Sequence, residues 1–379
     1  MTASVRDVAA AASVSVGTVS NVLNRPDRVA PATVARVLAA IEQLGFVRND
    51  AARQLRAGRS RTIGLVVLDL RNPFFTELAR GAEERAAEHG LSVLVANSDD
   101  NAAREATHLE LFEEQRAFGV LLTPVADPPA RLQRLRDHGT PVVLVDHSSP
   151  DRTLPSVSVD AVAGGLNAAR HLPESGRRRL VFVGKSVGIR QAADRLAGAR
   201  MAVAETRGAT LEVIETETLT VHAGHQAGQH VMQLPLAERP DAIFAANDLL
   251  ALGALQTLVM TGDAQIPRDI SLIGYDDISF SASAVVPLSS VRQPAALIAA
   301  TAVALLLFSR VPADLLVMLA QNPGRVLTHR QILLQVWGPA HGQDVPYLRV
   351  FIGQLRQKIE TDPAAPAFIH TEPGVGYRW

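Results

Sequence analysis

Residues 5–24 read VRDVAAAASVSVGTVSNVLN, and their spacing describes two short helices joined by a tight turn. Val5, Val8, Ala9 and Ala12 recur at helical intervals, Ser13–Val14–Ser15 interrupts, and Val16, Val19, Val22 and Leu23 resume the period. Ser15 is placed to cap the second helix through its hydroxyl. Small side chains at Ala9 and Ala12 let the two helices cross closely, as a helix-turn-helix requires. A third helix is signalled by Pro31 near its first turn and by Val34, Val37, Leu38, Ile41 and Leu44, closing at Gly45. On periodicity alone, a small helical bundle and a DNA-binding head fit equally well.

Charge is distributed unevenly around this stretch. Residues 1–61 hold nine arginines against four acids, a net +5; residues 62–310 hold 22 basic and 29 acidic side chains, a net −7; residues 311–379 stand at +1. A basic head on an acidic body suits a head that meets a polyanion, although a charge run is more often a solvated face. The 379 residues are enough for two to four domains at roughly 100–200 residues each, and 47% hydrophobic residues suit a globular core. There is no cysteine, which excludes a disulfide scaffold and any thiolate site and fits a cytoplasmic location. The opening MTASVRDVAAAAS places an Arg–Asp pair where a signal peptide needs an apolar core. The longest apolar run, Ala295–Phe308, is interrupted by Thr301 and falls short of the about twenty residues of a membrane span. No membrane partner is expected.

The head sequence, continued by RPDRVAPATVARVLAAIEQLGFVRNDAARQL, closely resembles the DNA-binding head of the lactose/purine repressor (LacI/GalR) family over about sixty residues. VSVGTVSNVLN and the later N-x-x-A-R-x-L are its specific signals. The resemblance implies that the helix opening at Val16 is the recognition helix, with Val16, Gly17 and Asn21 at base-reading positions and Thr18 and Ser20 near phosphates or base edges. It also implies a hinge helix over DAARQLRA (50–57), with Leu55 as an apolar wedge in the minor groove and Arg53 and Arg56 near phosphates. Two positions depart from the family pattern. Ser13 stands where the turn usually has Gly, and Asn21 where Arg is frequent, which favours an adenine edge over guanine.

From Thr62 the texture changes. Strand-like runs IGLVVLDL (63–70), LSVLVA (91–96), GVLLT (119–123), PVVLVD (141–146), RLVFVG (179–184), DAIFAA (241–246) and ISLIGY (270–275) alternate with helical stretches such as 75–89 and 190–206. This is the pattern of doubly wound parallel sheets, and the length suits two lobes. Ligands bind such folds beyond the carboxyl ends of strands. The residues there are polar: Asn72-Pro73-Phe74-Phe75, Asp146, Asn247-Asp248 and Asp276-Asp277. With RLAGAR (195–200), AANDLLALGAL (245–255) and IGYDDIS (273–279) they resemble the periplasmic-binding-protein-like effector domain of the same family. That resemblance implies Arg195, Asn247 and Asp276 as core ligand contacts and Phe74, Asp146 and Asp160 as secondary lining. An Arg–Asp–Asn set suits vicinal hydroxyls, so the expected ligand is a small polyhydroxylated molecule such as a sugar, with a purine as the alternative. An aromatic platform would come from Phe74, Phe75, Phe280 or Tyr275.

Catalytic readings find little support. VGKSVG (183–188) has the look of a phosphate-binding loop, but Arg179 stands where the motif needs its first Gly. His222, His225 and His230 lack a paired carboxylate, no Gly-x-Ser-x-Gly elbow is present, and no cofactor or metal is expected.

From about Asp314, LLVMLAQNPGRVLTHRQILLQVWG, YLRVFIGQLRQKIE and FIHTEPGVGYRW closely resemble the C-terminal part of the winged-helix output domain of OmpR/PhoB-type response regulators. This implies a recognition helix over 344–360 with Arg349, Gln354 and Arg356 on the DNA side, and a wing at 371–377. The strands that usually precede such a domain's first helix are missing, as is the receptor's usual last strand. The expectation is therefore a partial domain whose apolar face, including Leu315, Leu316, Leu319 and Trp337, packs partly on the body or is loosely ordered.

The resulting expectation is an α/β chain. A helix-turn-helix head (1–49) and hinge (50–60) precede a two-lobed receptor (61–310) and a partial winged-helix tail (311–379). The resemblance implies a homodimeric, ligand-responsive regulator, a repressor, acting on a near-palindromic double-stranded DNA operator. A two-component output protein acting through the tail and a plain sugar-binding protein are the rivals.

Overall fold

The computed structural model describes residues 3–46, 60–125, 130–148, 154–262, 264–338 and 341–379. The expected hinge contacts Arg53, Leu55 and Arg56 lie outside the described residues. Two compact units result, Met1–Ser60 and Arg61–Trp379.

In the first unit, α1 (Val5–Ala11) and α2 (Val16–Asn24) flank the turn, and α3 (Pro31–Gln43) closes the bundle. Ser4 and Asp7 form a reciprocal capping box on α1, and Ser15 Oγ accepts from Thr18 N at 3.0 Å to cap α2. Val8, Ala9, Ala12, Val19, Val22, Val37 and Ala40 form the buried core. Ser13 has φ +52°. The left-handed turn is thus kept without its usual Gly, at a backbone cost of about 1 kcal/mol or more.

The second unit carries two parallel sheets built the same way. The first, in order β2-β1-β3-β4-β5, comprises β1 (Thr62–Val67), β2 (Ser92–Asn97), β3 (Gly119–Leu122), β4 (Val142–Val145) and β5 (Ser156–Val157). Its connecting helices are α4 (Pro73–Ala87), α5 (Ala102–Glu114) and α6 (Ala130–Asp137). The second sheet, in order β10-β9-β8-β6-β7, comprises β6 (Arg179–Gly184), β7 (Thr210–Glu215), β8 (Ala242–Ala245), β9 (Ser271–Asp276) and β10 (Ser289–Arg292). Around it lie α7 (Ala161–Glu174), α8 (Arg190–Ala204), α9 (Val221–Gln233) and α10 (Asp248–Thr261). The central strands are buried on both faces, as helix-covered parallel sheets require. Helices α7 and α8 lie unusually close, because a Cβ on Gly165 would collide with the Arg195 carbonyl and one on Gly198 with the Val162 carbonyl.

The junction with the tail differs from the sequence expectation. One helix, α11 (Ala295–Ala320), runs for 26 residues through the expected boundary. Ile298, Ala299, Ala302, Val303 and Leu306 fill the first lobe's core. Leu315, Met318 and Leu319 belong to a separate tail core with Leu327, Ile332, Leu333, Leu348, Phe351, Ile352, Leu355, Ile369 and Tyr377. The tail adds β11 (Val326–Thr328), α12 (His329–Val336), α13 (Val345–Ile359), β12 (His370–Glu372) and β13 (Gly376–Arg378), the strands forming an antiparallel sheet in order β11-β13-β12. Leu315 and Leu319 are fully buried, and Leu316 and Trp337 pack against the same core. The tail therefore completes a core of its own, because α11 supplies the first helix and β11 pairs with the wing. Among the described residues α11 is also the one helix long and apolar enough to cross a bilayer; its apolar positions are divided between two protein cores.

Candidate functional site

The carboxyl ends of the strands of both lobes converge on a cavity of about 290 Å³. Residues after β1 (Leu68, Asn72, Phe74, Phe75), β2 (Asp99, Asp100) and β4 (Asp146) form one wall; Ile189, Gln191 and Arg195 of the segment after β6, Thr218 and Leu219 after β7, Asn247 after β8 and Asp276 ending β9 form the other. Strand ends leave backbone groups and polar side chains free of the sheet ladders, which is why the site forms there.

Arg195 lies at the cavity floor, 4% exposed. Its Nη1 donates to the Ala246 carbonyl at 2.5 Å, its Nη2 lies 3.5 Å from Asp276 Oδ1, and its Cζ stands 3.8 Å from the Tyr275 ring centroid. Its Nε is buried without a hydrogen-bond partner. Asp276 also accepts from Asn72 Nδ2 at 3.0 Å and Gln293 Nε2 at 2.8 Å. Burial nevertheless raises its pKa, against the pull of Arg195 and these amides. Asp146 has less support: Gln191 Nε2 donates to its backbone carbonyl at 2.6 Å and reaches its Oδ2 only at 3.4 Å. Burial pushes the Asp146 carboxyl up to about 7, with Arg195 opposing and Asp276 adding to the rise. Both aspartates hold left-handed backbone, φ +52° at Asp146 and φ +107° at Asp276, which turns the chain out of the strand and toward the cavity.

The rim carries a balanced set of charges. Arg71 Nε lies 2.8 Å from Asp69 and its Nη2 2.8 Å from Asp99, Arg104 adds a second contact to Asp99 at 3.0 Å, and Lys185 pairs with Asp100 across the lobes. Lys185 is the lysine of VGKSVG, so that segment supplies an interlobe ion pair.

Of the six expected ligand residues, Phe74, Asp146, Arg195, Asn247 and Asp276 line the cavity. Asn247 lines it with both side-chain groups engaged: Oδ1 accepts from Leu250 N at 2.9 Å as the cap of α10, and Nδ2 donates to the Leu219 carbonyl at 3.0 Å. Asp160 is exposed and caps α7 by accepting from Ala163 N at 2.9 Å; it is absent from the lining. Phe280 is exposed, and Tyr275 lies beneath Arg195. Gln191 and Gln293 were not among the residues expected from the sequence, since amides on helices and loops carry no pattern of their own. Asp248 accepts from Ile278 N, Ser281 Oγ and Ser290 Oγ at 2.9, 2.6 and 2.6 Å, and so ties down the loop after β9. Burial pushes its pKa to about 6 despite these donors.

In the head, Val16, Gly17 and Asn21 are exposed on one side of α2, while Thr18 and Ser20 are half-buried. Thr18 Oγ1 shares a hydrogen bond with Ser15 Oγ at 2.9 Å. In the tail, Arg349 is exposed on α13 and Gln354 half-buried. Arg356 departs from the expected DNA-facing position: its guanidinium donates to the Ile369 carbonyl at 2.7 and 3.1 Å and to Thr371 Oγ1 at 2.8 Å, holding the wing strand to the helix.

Residues 60–305 match the family of periplasmic binding proteins and sugar binding domain of the LacI family, residues 4–49 the bacterial regulatory proteins of the lacI family, and residues 307–379 the C-terminal domain of transcriptional regulatory proteins. The ribose operon repressor of Escherichia coli is 32% identical over 294 residues, covering 77% of this chain and 88% of that protein. The transcriptional repressor PurR of Aliivibrio fischeri is 31% identical over 308 residues, covering 80% and 91%. Among solved structures, the lac repressor dimer bound to operator and an anti-inducer is similar at TM-score 0.69 and 26% identity, covering 81% of this chain and 92% of that one. A LacI family regulator from Enterococcus faecium with bound ribose is similar at TM-score 0.60 and 25% identity, covering 66% and 90%. These relatives are transcriptional regulators, not enzymes. With its head and its receptor both matched, the chain belongs to the LacI family of bacterial regulatory proteins.

Proposed function

We propose that this chain is a cytoplasmic repressor that binds a near-palindromic double-stranded operator as a homodimer and releases or gains that operator when a small polyhydroxylated effector, such as a sugar, fills the interlobe cavity. The observation that carries the reading is the buried Arg195, with its free Nε, facing Asp276 and Asp146 between two lobes. A desolvated donor fork beside carboxylate acceptors can satisfy neighbouring hydroxyls that both donate and accept. The volume lies near the lower end of small-molecule pockets, suited to a monosaccharide. A purine is the second reading, favoured by Phe74 and Phe75 in the wall, their rings edge to face at 5.1 Å.

The head supports the DNA half of the reading. Its exposed Val16, Gly17 and Asn21 fit base contact in a major groove, and Thr18 and Ser20 lie beside them. The hinge residues Arg53, Leu55 and Arg56 would complete the contact by wedging the minor groove. Selection of genomic fragments by the purified protein, with and without a panel of sugars and purines, tests both halves. A symmetric operator whose occupancy responds to one of these ligands is the expected result. Selection of no defined sequence, or occupancy indifferent to every ligand, would overturn the proposal.

A further inference from the structure

The charges around the cavity divide into two sets. At the rim, Asp69, Asp99 and Asp100 are matched by Arg71, Arg104 and Lys185. On the floor, two buried carboxylates share one buried guanidinium. Asp276 and Asp146 are 6% and 5% exposed, Arg195 4%. The support is unequal, because Asn72, Gln293 and Arg195 all approach Asp276. The Asp146 carboxylate is held by the long contact from Gln191 and by the field of Arg195, which makes its ion pair with Asp276 instead. A dry carboxylate with no ion pair of its own is expensive to hold ionised. Asp146 meets that cost by favouring its protonated form, consistent with its raised pKa.

Resting on the polyol reading above, we infer that the effector presents a protonated amine to Asp146, making it an amino sugar or a similar amine-bearing polyol, and that the site excludes phosphorylated and carboxylated sugars. An ammonium supplies Asp146 with an ion pair of its own and up to three donors. It forms a charge-assisted hydrogen bond where a hydroxyl forms an ordinary one. An anionic group would instead add a third negative charge beside Asp146 and Asp276, with Arg195 already engaged by Ala246 and Asp276. Asp146 is therefore the residue that sets the charge class of the ligand.

Titration calorimetry of the full chain against matched sets tests this: glucose, glucosamine and glucose phosphate, then the galactose and mannose equivalents. Within at least one set the amine should bind about tenfold tighter than its neutral parent, and the phosphate should give no detectable heat. In Asp146→Asn the amine-to-parent ratio should fall to about one. Thermal melting confirms that the variant is folded, and the wild-type ratios stand as a test even if it is not. A neutral parent binding as tightly as its amine, a phosphate binding as well as its parent, or an unchanged ratio in Asp146→Asn would overturn the inference while leaving the polyol reading intact. Binding by no member of any set, with a purine bound instead, would remove the polyol reading itself and this inference with it.

Discussion

Arg195 stands over Tyr275 with its Cζ 3.8 Å from the ring centroid, so the guanidinium sits between an aromatic face and the cavity. Tyr275 packs against it, Ala246 and Asp276 hold its nitrogens, and the close crossing of α7 on α8 at Gly165 fixes the backbone that carries it. The side chain is thus positioned before any ligand arrives, which limits the ordering cost of binding.

Arg195→Ala should consequently abolish the effector response while the head still binds its operator. Removing one partner of a buried charged pair costs roughly 2–5 kcal/mol of binding. Calorimetry with the effector and footprinting on the operator separate the two effects. Wild-type effector affinity in this variant would contradict the assignment of Arg195 to the site.

Burial of Asp146 gives stability a pH dependence. Its carboxyl titrates near 7 in the folded chain against an ordinary 3.8, so between these values the folded state holds a proton that the unfolded state has released. Its contribution is greatest at low pH and is lost as pH rises toward 7, with a slope of at most about 1.4 kcal/mol per pH unit. His89 and His329, held below their ordinary values chiefly by burial, act in the opposite direction. The difference between wild type and Asp146→Asn therefore isolates the aspartate. In thermal melts the variant should gain on the wild type as pH rises from 5 to 7.5, and a constant difference would refute this.

Gly17→Ala offers a clean test of the head. A Cβ at that position meets only Ser15 Oγ, at 3.5 Å, and Ala favours helix over Gly by about 1 kcal/mol. The head should fold at least as well and bind operator more weakly, because the added methyl lies on the exposed face with Val16 and Asn21. Unchanged operator affinity would mean that DNA does not approach α2 at Gly17.

The two tail arginines should separate structure from contact. Arg356→Gln should loosen the wing and raise protease sensitivity of the tail, since hydrogen bonds from charged groups contribute about 1.5–3 kcal/mol and Ile369 and Thr371 would lose theirs. Arg349→Ala should leave the melt unchanged. If the tail contacts DNA, it should reduce the salt dependence of binding by about one phosphate equivalent; an unchanged salt slope indicates that operator recognition resides in the head.

Much of this organisation was legible in the sequence because periodicity and strand-end position are local properties. The two helices of the head, the alternation of strands and helices, and the polar strand ends at Asp146 and Asp276 needed nothing else, whereas Arg195, inside a helix, was reached only through the family resemblance. The roles of Asp160 and Asn247 were less legible. The same side chains that bind hydroxyls also cap helices, and only the backbone geometry of α7 and α10 shows which oxygen is occupied. Arg356 misled for a related reason: the resemblance implies a DNA-facing position, but its long side chain folds back to the wing strand. The tail core was hidden because its first helix is written as the end of another domain.

That shared helix gives the molecule a phase. At about 100° per residue, the apolar stripe of Ala295–Leu306 and the stripe of Leu315–Leu319 lie roughly half a turn apart, and Phe308 already lies on the second stripe, where its ring meets Phe351 at 4.5 Å. One rod therefore serves two cores on opposite sides, and the bearing of the tail is set by the number of residues between them. Adding or losing a single residue there would swing the tail by about 100° and pull Phe308 from Phe351, whereas a change of seven, close to two full turns, would restore the bearing at a new distance. A lineage that kept this joint had to preserve a count as well as a composition.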